Sequence, residues 1–82
     1  METTTIRQTD GRRVTFTYNP SDLPARVAQS RVLTIAFRRG FDAAVWAVGH
    51  GSPQRCPYSK PYAAEIWDLG YRYALKGKRD EC

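Results

Sequence analysis

In the second half of the chain Ala63, Trp67, Gly70 and Ala74 recur at intervals of four, three and four residues, with Ile66 and Tyr73 beside them. That spacing lines one large ring and three small residues along a single helix face. Gly70 has no side chain to bury, so its place in the stripe calls for a second backbone packed close against it. The segment opens at Ser59 or Lys60, tolerates Pro61 in its first turn and stops just before Gly77. Lys76, Lys78 and Arg79 gather at its C-terminal end, where the helix dipole favours cations, and Asp80-Glu81-Cys82 reads as a frayed end.

The partner for that face lies upstream. From Ser30 to Val48 the apolar residues Leu33, Phe37, Phe41, Ala44 and Val48 follow a helical period, with Val32, Ile35, Ala36 and Trp46 widening the apolar area. The run Val32–Phe37 taken alone also fits a short buried strand, but the period continues past Arg38, Arg39 and Asp42 on the polar side, which favours a helix. Gly49-His50-Gly51-Ser52-Pro53 ends it, with glycine at the C-cap and proline beyond.

The first twenty residues follow a different period. Thr3–Thr9 and Arg12–Tyr18 are rich in Thr, Val, Ile, Phe and Tyr and flank Asp10-Gly11, a hairpin signal. A two-residue loop would set Ile6 on the face opposite Val14, Phe16 and Tyr18. A three-residue loop, Thr9-Asp10-Gly11 with a left-handed Gly11 in a bulge, pairs Ile6 with Val14 and Thr4 with Phe16 and keeps the apolar residues on one face. The second register is expected. Asn19–Pro24 is a turn cluster in which Ser21 or Asp22 would cap a short helical turn that takes in Pro24.

With 82 residues there is room for one core, so residues 1–82 are read as a single domain made of a hairpin (1–20) and a helix-loop-helix unit (30–77). The fold class is α+β, an N-terminal β-hairpin packed on a two-helix unit whose helices meet through Phe41, Ala44, Ala63, Trp67 and Gly70. Thirteen Lys and Arg against eight Asp and Glu give a net charge of +5, which suits RNA, DNA, an anionic surface or an acidic protein, although a charge of this size is also ordinary for solubility. Met1–Thr5 lacks the basic start and apolar run of a signal peptide, and Cys56 and Cys82 read as thiols in a reducing compartment, so a cytoplasmic protein with no membrane partner is expected.

Cys56-Pro57-Tyr58, followed by Trp67, Gly70, Tyr71, Arg72 and Ala74, resembles the second half of the ribosome modulation factor family, whose pattern is Cys-Pro-Tyr, a spacer, then Trp-x-x-Gly-aromatic-Arg-x-Ala. The Cys to Trp and Gly spacing agrees without a gap. Arg39-Gly40-Phe41-x-Ala43 is similar to the family's Arg-Gly-Tyr-x-Ala, and Gly49 or Gly51 stands for the glycine that ends its first helix. The chain departs from the family in its N-terminal hairpin and in a longer span from Gly40 to Cys56. The resemblance implies two helices joined by a tight loop and a role on ribosomal RNA or ribosomal proteins. In that family the protein inactivates and pairs ribosomes in starved bacteria. The same fold group includes small phage proteins and a plasmid-borne protein reported to modify ciprofloxacin.

Catalytic signatures are sparse. His50 and Cys56 are two ligands where a zinc site usually needs four, and Cys56 is better read as a buried thiol in a structural loop. There is no phosphate-binding glycine loop and no nucleophile elbow, and Asp42, Glu65 and Asp68 read as solvated helix charges. An enzyme is not expected, and neither is a cofactor or metal. Arg38, Arg39, Arg55, Lys60, Arg72 and Lys76, interleaved with Tyr58, Tyr62 and Tyr71, combine phosphate neutralisation with stacking surfaces and are the candidate RNA-binding residues. Tyr58 and Tyr71 are expected to serve the core more than stacking. The expected partner is the ribosome or rRNA, the alternative a host protein that the chain inhibits, and the free hairpin edge could pair with a second copy in a homodimer.

Overall fold

In a computed structural model, which describes residues 1–81, a helical hairpin carries a small antiparallel sheet on one face. Strand β1 (Glu2–Arg7) pairs with β2 (Arg13–Tyr18), a 3₁₀ turn (Pro20–Asp22) and a single-turn helix α1 (Ala25–Ala28) follow, and helices α2 (Arg31–His50) and α3 (Pro61–Gly77) are joined by residues 51–60. The chain then returns to the sheet as β3 (Arg79–Glu81), giving the order β1-β2-β3. The fold is α+β, as the alternation of periods implied.

The hairpin takes the register that keeps its apolar residues together. Ile6 faces Val14 and Thr4 faces Phe16. Gln8 and Arg12 close the loop through a 2.8 Å bond from Gln8 N to Arg12 O, Gly11 N donates to Gln8 O at 3.0 Å, and Gly11 sits at φ +88°, where a side chain would be strained. As a result Val14, Phe16 and Tyr18 are buried on the inner face while Arg13, Thr15 and Thr17 turn outward. At the other end of the chain, Arg79–Glu81 does not fray: Arg79 lies opposite Thr15 and Glu81 opposite Arg13. The helix stops at Gly77, Lys78 is extended, and β2 offers an unpaired edge. Cys82 lies outside the described residues.

The turn cluster is capped differently from the expectation. Asn19, not Ser21 or Asp22, is the cap: its Oδ1 accepts from Ser21 N at 3.1 Å and Ser21 Oγ at 2.7 Å. Pro24 then precedes α1 rather than lying within a turn capped by Ser21. Ser30 caps α2, its Oγ accepting from Leu33 N at 3.3 Å, and Gly51 ends α2 in the left-handed conformation. Val32–Phe37 is helical throughout.

Two glycines fix how close α2 and α3 come. A Cβ on Gly70 would stand 2.0 Å from the Phe37 carbonyl oxygen, and one on Gly40 would stand 1.9 Å from the Trp67 carbonyl oxygen. Each helix therefore rests its glycine on the other's backbone. Around this crossing Ala36, Phe37, Ala44, Ala63 and Trp67 are buried. Phe16 and Tyr18 of the sheet meet Phe41 edge-on at 6.3 and 5.2 Å, and Tyr73 packs on Phe37 at 5.4 Å. Complete burial of side chains such as Phe16, Phe41 and Ile66 contributes roughly 1.5–3 kcal/mol each.

Residues 51–60 are not the tight loop of the family resemblance. They fold back along the helix pair, where Gln54 N donates to Tyr71 Oη at 3.4 Å and Tyr58 Oη accepts from Arg39 Nη1 at 3.3 Å. Tyr73 sits about 200° around α3 from Tyr71 and touches the sheet through Tyr18. The loop and the sheet thus cover opposite faces of the helical hairpin.

Candidate nucleic-acid interface

The six basic residues singled out from sequence do not form one surface. Arg38 lies on the sheet side, where its Nη2 and Nη1 donate to the Glu2 carboxylate at 2.7 and 2.9 Å and its Nε donates to Asp42 Oδ1 at 3.1 Å. Its guanidinium also stands 4.9 Å from the centre of the Tyr18 ring. This bidentate pair ties β1 to α2 and holds the Glu2 carboxyl below its ordinary range, while the hydrogen bond to Glu2 raises the Arg38 pKa further. Arg38 is a clamp on the half-exposed edge between β1 and α2, with its charge balanced by two carboxylates.

Arg39, Arg55 and Lys60 belong to the loop side. Arg39 bonds Tyr58, Arg55 is exposed in the returning segment, and Lys60 is exposed at the N-cap of α3. Arg72 and Lys76 are elsewhere. They border a groove of about 270 Å³ with Asp22, Pro24, Phe37 and Tyr73, and Arg72 Nε is paired to Asp68 Oδ2 at 3.0 Å. In that groove Tyr73 Oη donates to Asp22 Oδ2 at 2.7 Å and accepts from Asn19 N at 3.1 Å. Burial first, and then the bond to Asp22, raise the Tyr73 pKa.

Among the aromatic candidates, Tyr58 and Tyr71 are half-buried against the core, as expected, and Tyr62 is exposed. Cys56 departs from expectation. It is exposed, with Sγ only 3.9 Å from the Tyr58 carbonyl oxygen, because the loop lies over the helices instead of being buried between them. His50 is occupied with Trp46, stacked at 4.1 Å and bonded through Nδ1 to its carbonyl oxygen at 2.9 Å. No group of three or more His, Cys, Asp or Glu among the described residues could hold a metal ion, and no helix among them is long and apolar enough to cross a membrane.

The charge balance of the described residues is uneven. Every carboxylate from Glu2 to Asp68 is engaged: Glu2 and Asp42 with Arg38, Asp10 with Arg12, Glu65 with Arg26, Asp68 with Arg72, and Asp22 with the Tyr73 hydroxyl. The cations outside these pairs include Arg7, Arg13 and Arg79, which the fold brings to the outer side of the sheet. They share that face with Thr3, Thr5, Thr15 and Thr17, and Thr5 and Thr15 meet through their hydroxyls at 3.0 Å. Arg7 stands directly across from Arg13, next to the hydrogen-bonded Gln8 and Arg12, so theirs is a non-hydrogen-bonded pair, the kind whose side chains come closest. Like charges so placed destabilise a sheet. In register Arg13 has Arg7 on one side and Glu81 on the other.

This Arg and Thr face was missing from the sequence-based candidates. Its signal was present as the alternation of Thr3, Thr5 and Arg7 with Thr4 and Ile6, and of Arg13, Thr15 and Thr17 with Val14 and Phe16. Arg79 carried no such signal, since only β3 pairing brings it beside Thr15. Compared with known proteins, the chain matches no family model, no curated protein and no solved structure.

Proposed function

We propose that this chain is a non-catalytic RNA-binding protein that acts on ribosomes or ribosomal RNA, and that it meets the phosphate backbone with the outer face of its sheet. The observation that carries the reading is the Arg7 and Arg13 pair, held opposite each other on a Thr-covered face and extended by Arg79. A cross-strand pair of like charges costs stability in the free protein, and phosphates would relieve the repulsion. The threonine hydroxyls supply donors and acceptors for phosphate and sugar oxygens without base selectivity. Arg39, Arg55 and Lys60 on the loop side form a second, smaller positive area. The ribosome as the source of the RNA rests on the Cys56-Pro57-Tyr58 and Trp67–Ala74 resemblance.

The test is binding of purified ribosomes and of a labelled rRNA fragment across a salt series, using Arg7→Gln with Arg13→Gln and Arg79→Gln. Each lost phosphate contact flattens the slope of log affinity against log salt by roughly 0.7–0.9, so the triple change should remove about two units. Circular dichroism confirms the fold. An unchanged slope would remove this face from the reading. Loss of slope only with Arg39→Gln, Arg55→Gln and Lys60→Gln would move the contact to the loop side.

A further inference from the structure

Helix α2 carries a second stripe on the side away from α3, bordering β1 only toward Gly49. Val32, Ile35, Arg39, Asp42, Trp46 and Gly49 follow one another at alternating intervals of three and four residues, the spacing of a coiled-coil seam. The core stripe of α2 is a different set. On the outer seam Val32, Ile35 and Trp46 are 58%, 42% and 45% exposed, and they are the large apolar residues that α2 leaves in water. Trp46 is held in place by the stacked His50 ring. Scattered exposed apolar residues need no explanation, but three on one seam do.

We infer that this seam is a homodimer interface in which α2 pairs antiparallel with α2 of a second copy. The sequence of the seam selects that occupant. Reversed about its midpoint, it sets Ile35 against the other copy's Trp46, Arg39 against its Asp42, and Val32 against its Gly49, each pairing occurring twice. Large apolar meets large apolar, opposite charges meet in the centre, and a β-branched side chain meets the residue with none. A parallel pairing would instead oppose arginine with arginine and aspartate with aspartate, which costs energy. An unrelated partner would have no need for a seam that is its own complement, whereas a twofold interface requires one.

The surroundings agree with this geometry. Asp42 gives one oxygen to Arg38 and remains exposed, leaving the other available to Arg39 of the second copy. Beside Gly49, which is covered by Ile6 of β1, runs a groove of about 520 Å³ between α2 and β1 lined by Ile6, Val45 and Trp46 together with Arg7, Asp42 and His50, and Val32 of the second copy meets its mouth. The seam is about 26 Å long, so the contact is that of a single helix pair, at the small end of specific interfaces, and a reversible, concentration-dependent dimer is expected. The inference does not rest on RNA binding, but the seam shares Arg39 with the loop-side cations and Arg7 borders the groove at Gly49, so dimerisation is measured without RNA.

Sedimentation equilibrium of the purified full chain, without RNA, from low to high micromolar concentration tests it. The expected result is a reversible dimer that Ile35→Glu or Trp46→Glu weakens at least tenfold. Arg39→Asp or Asp42→Arg alone should also weaken it about tenfold, and the two together should restore it to near wild-type affinity, since the double change recreates the complement. In the unaltered protein, Trp46 fluorescence should shift to the blue as concentration rises, while Trp67, already buried, contributes no change. A monomer at all concentrations, a dimer indifferent to the seam variants, or a double charge swap that fails to rescue would each overturn the proposal. A dimer that persists in Ile35→Glu would point to the open edge of β1 instead.

Discussion

Gly40→Ala puts the helix crossing to a test in which two physical effects predict opposite signs. Alanine is the better helix former by about 0.8–1 kcal/mol, so propensity alone predicts a more stable protein. The new Cβ, however, would lie 1.9 Å from the Trp67 carbonyl oxygen, and ordinary contact begins at 3.4 Å. The shortfall is roughly 1.5 Å, and because the obstacle is backbone, no rotamer change relieves it. The helices must separate, which loosens the contacts of Ala36, Phe37, Ala44, Ala63 and Trp67 as well. Overpacking at the upper end of its range costs about 3 kcal/mol or more. Setting the propensity gain against it leaves a net loss of about 2–4 kcal/mol, or roughly 10–30 °C in Tm for a domain of this size. Gly77→Ala is the matched control, since nothing lies within 4 Å of its added Cβ and it should be neutral or mildly stabilising. Urea and thermal unfolding followed by circular dichroism measure both. A Gly40→Ala protein as stable as wild type would show that the helices do not cross on these glycines.

Trp67→Ala should cost about 3–5 kcal/mol in the same unfolding assay, because a large buried aromatic leaves a cavity that a small core cannot close. Tyr73→Phe keeps the ring packing but removes the hydroxyl between Asp22 and Asn19, with an expected loss of about 1 kcal/mol and faster hydrogen exchange at the Asn19 amide. The folded Glu2 pKa is depressed below its ordinary 4.5, so the stability its carboxylate contributes is present above that pH and is lost as pH falls through the folded value. Glu2→Gln should therefore be less stable than wild type near neutrality, and the difference should vanish in acid. Exposed Cys56 should react with a thiol reagent in the native state without denaturant, and Cys56→Ser should leave the Tm nearly unchanged.

Local rules carried the reading of the elements. Period two with Asp10-Gly11 implied the hairpin, and burial on one face selected its register, because a one-residue slip would have turned Ile6 away from Val14, Phe16 and Tyr18. Period 3.6 with Ser30, Gly51 and Pro61 marked α2 and α3, and Gly70 announced a close backbone before any partner was known. What those rules could not supply were the pairings between residues far apart in the chain. Arg38 reads as a free cation until Glu2 is brought across to it by the sheet packing on α2, and Gly40 reads as a family signature until the Trp67 carbonyl rests on it. Arg79–Glu81 has no strand-like pattern of its own, and it becomes a strand because β2 offers unmet hydrogen bonds where α3 ends. Val32, Ile35 and Trp46 read as part of the apolar area of α2, but a helix has one side toward its core, and which apolar residues fall outside depends on where α3, the loop and the sheet sit. The sequence by itself determined the hairpin, the two long helices and the faces they bury; only the tertiary structure decided that Arg79–Glu81 becomes a strand, which charges are neutralised and which surfaces remain for a partner, because those depend on distances between segments that no local propensity encodes.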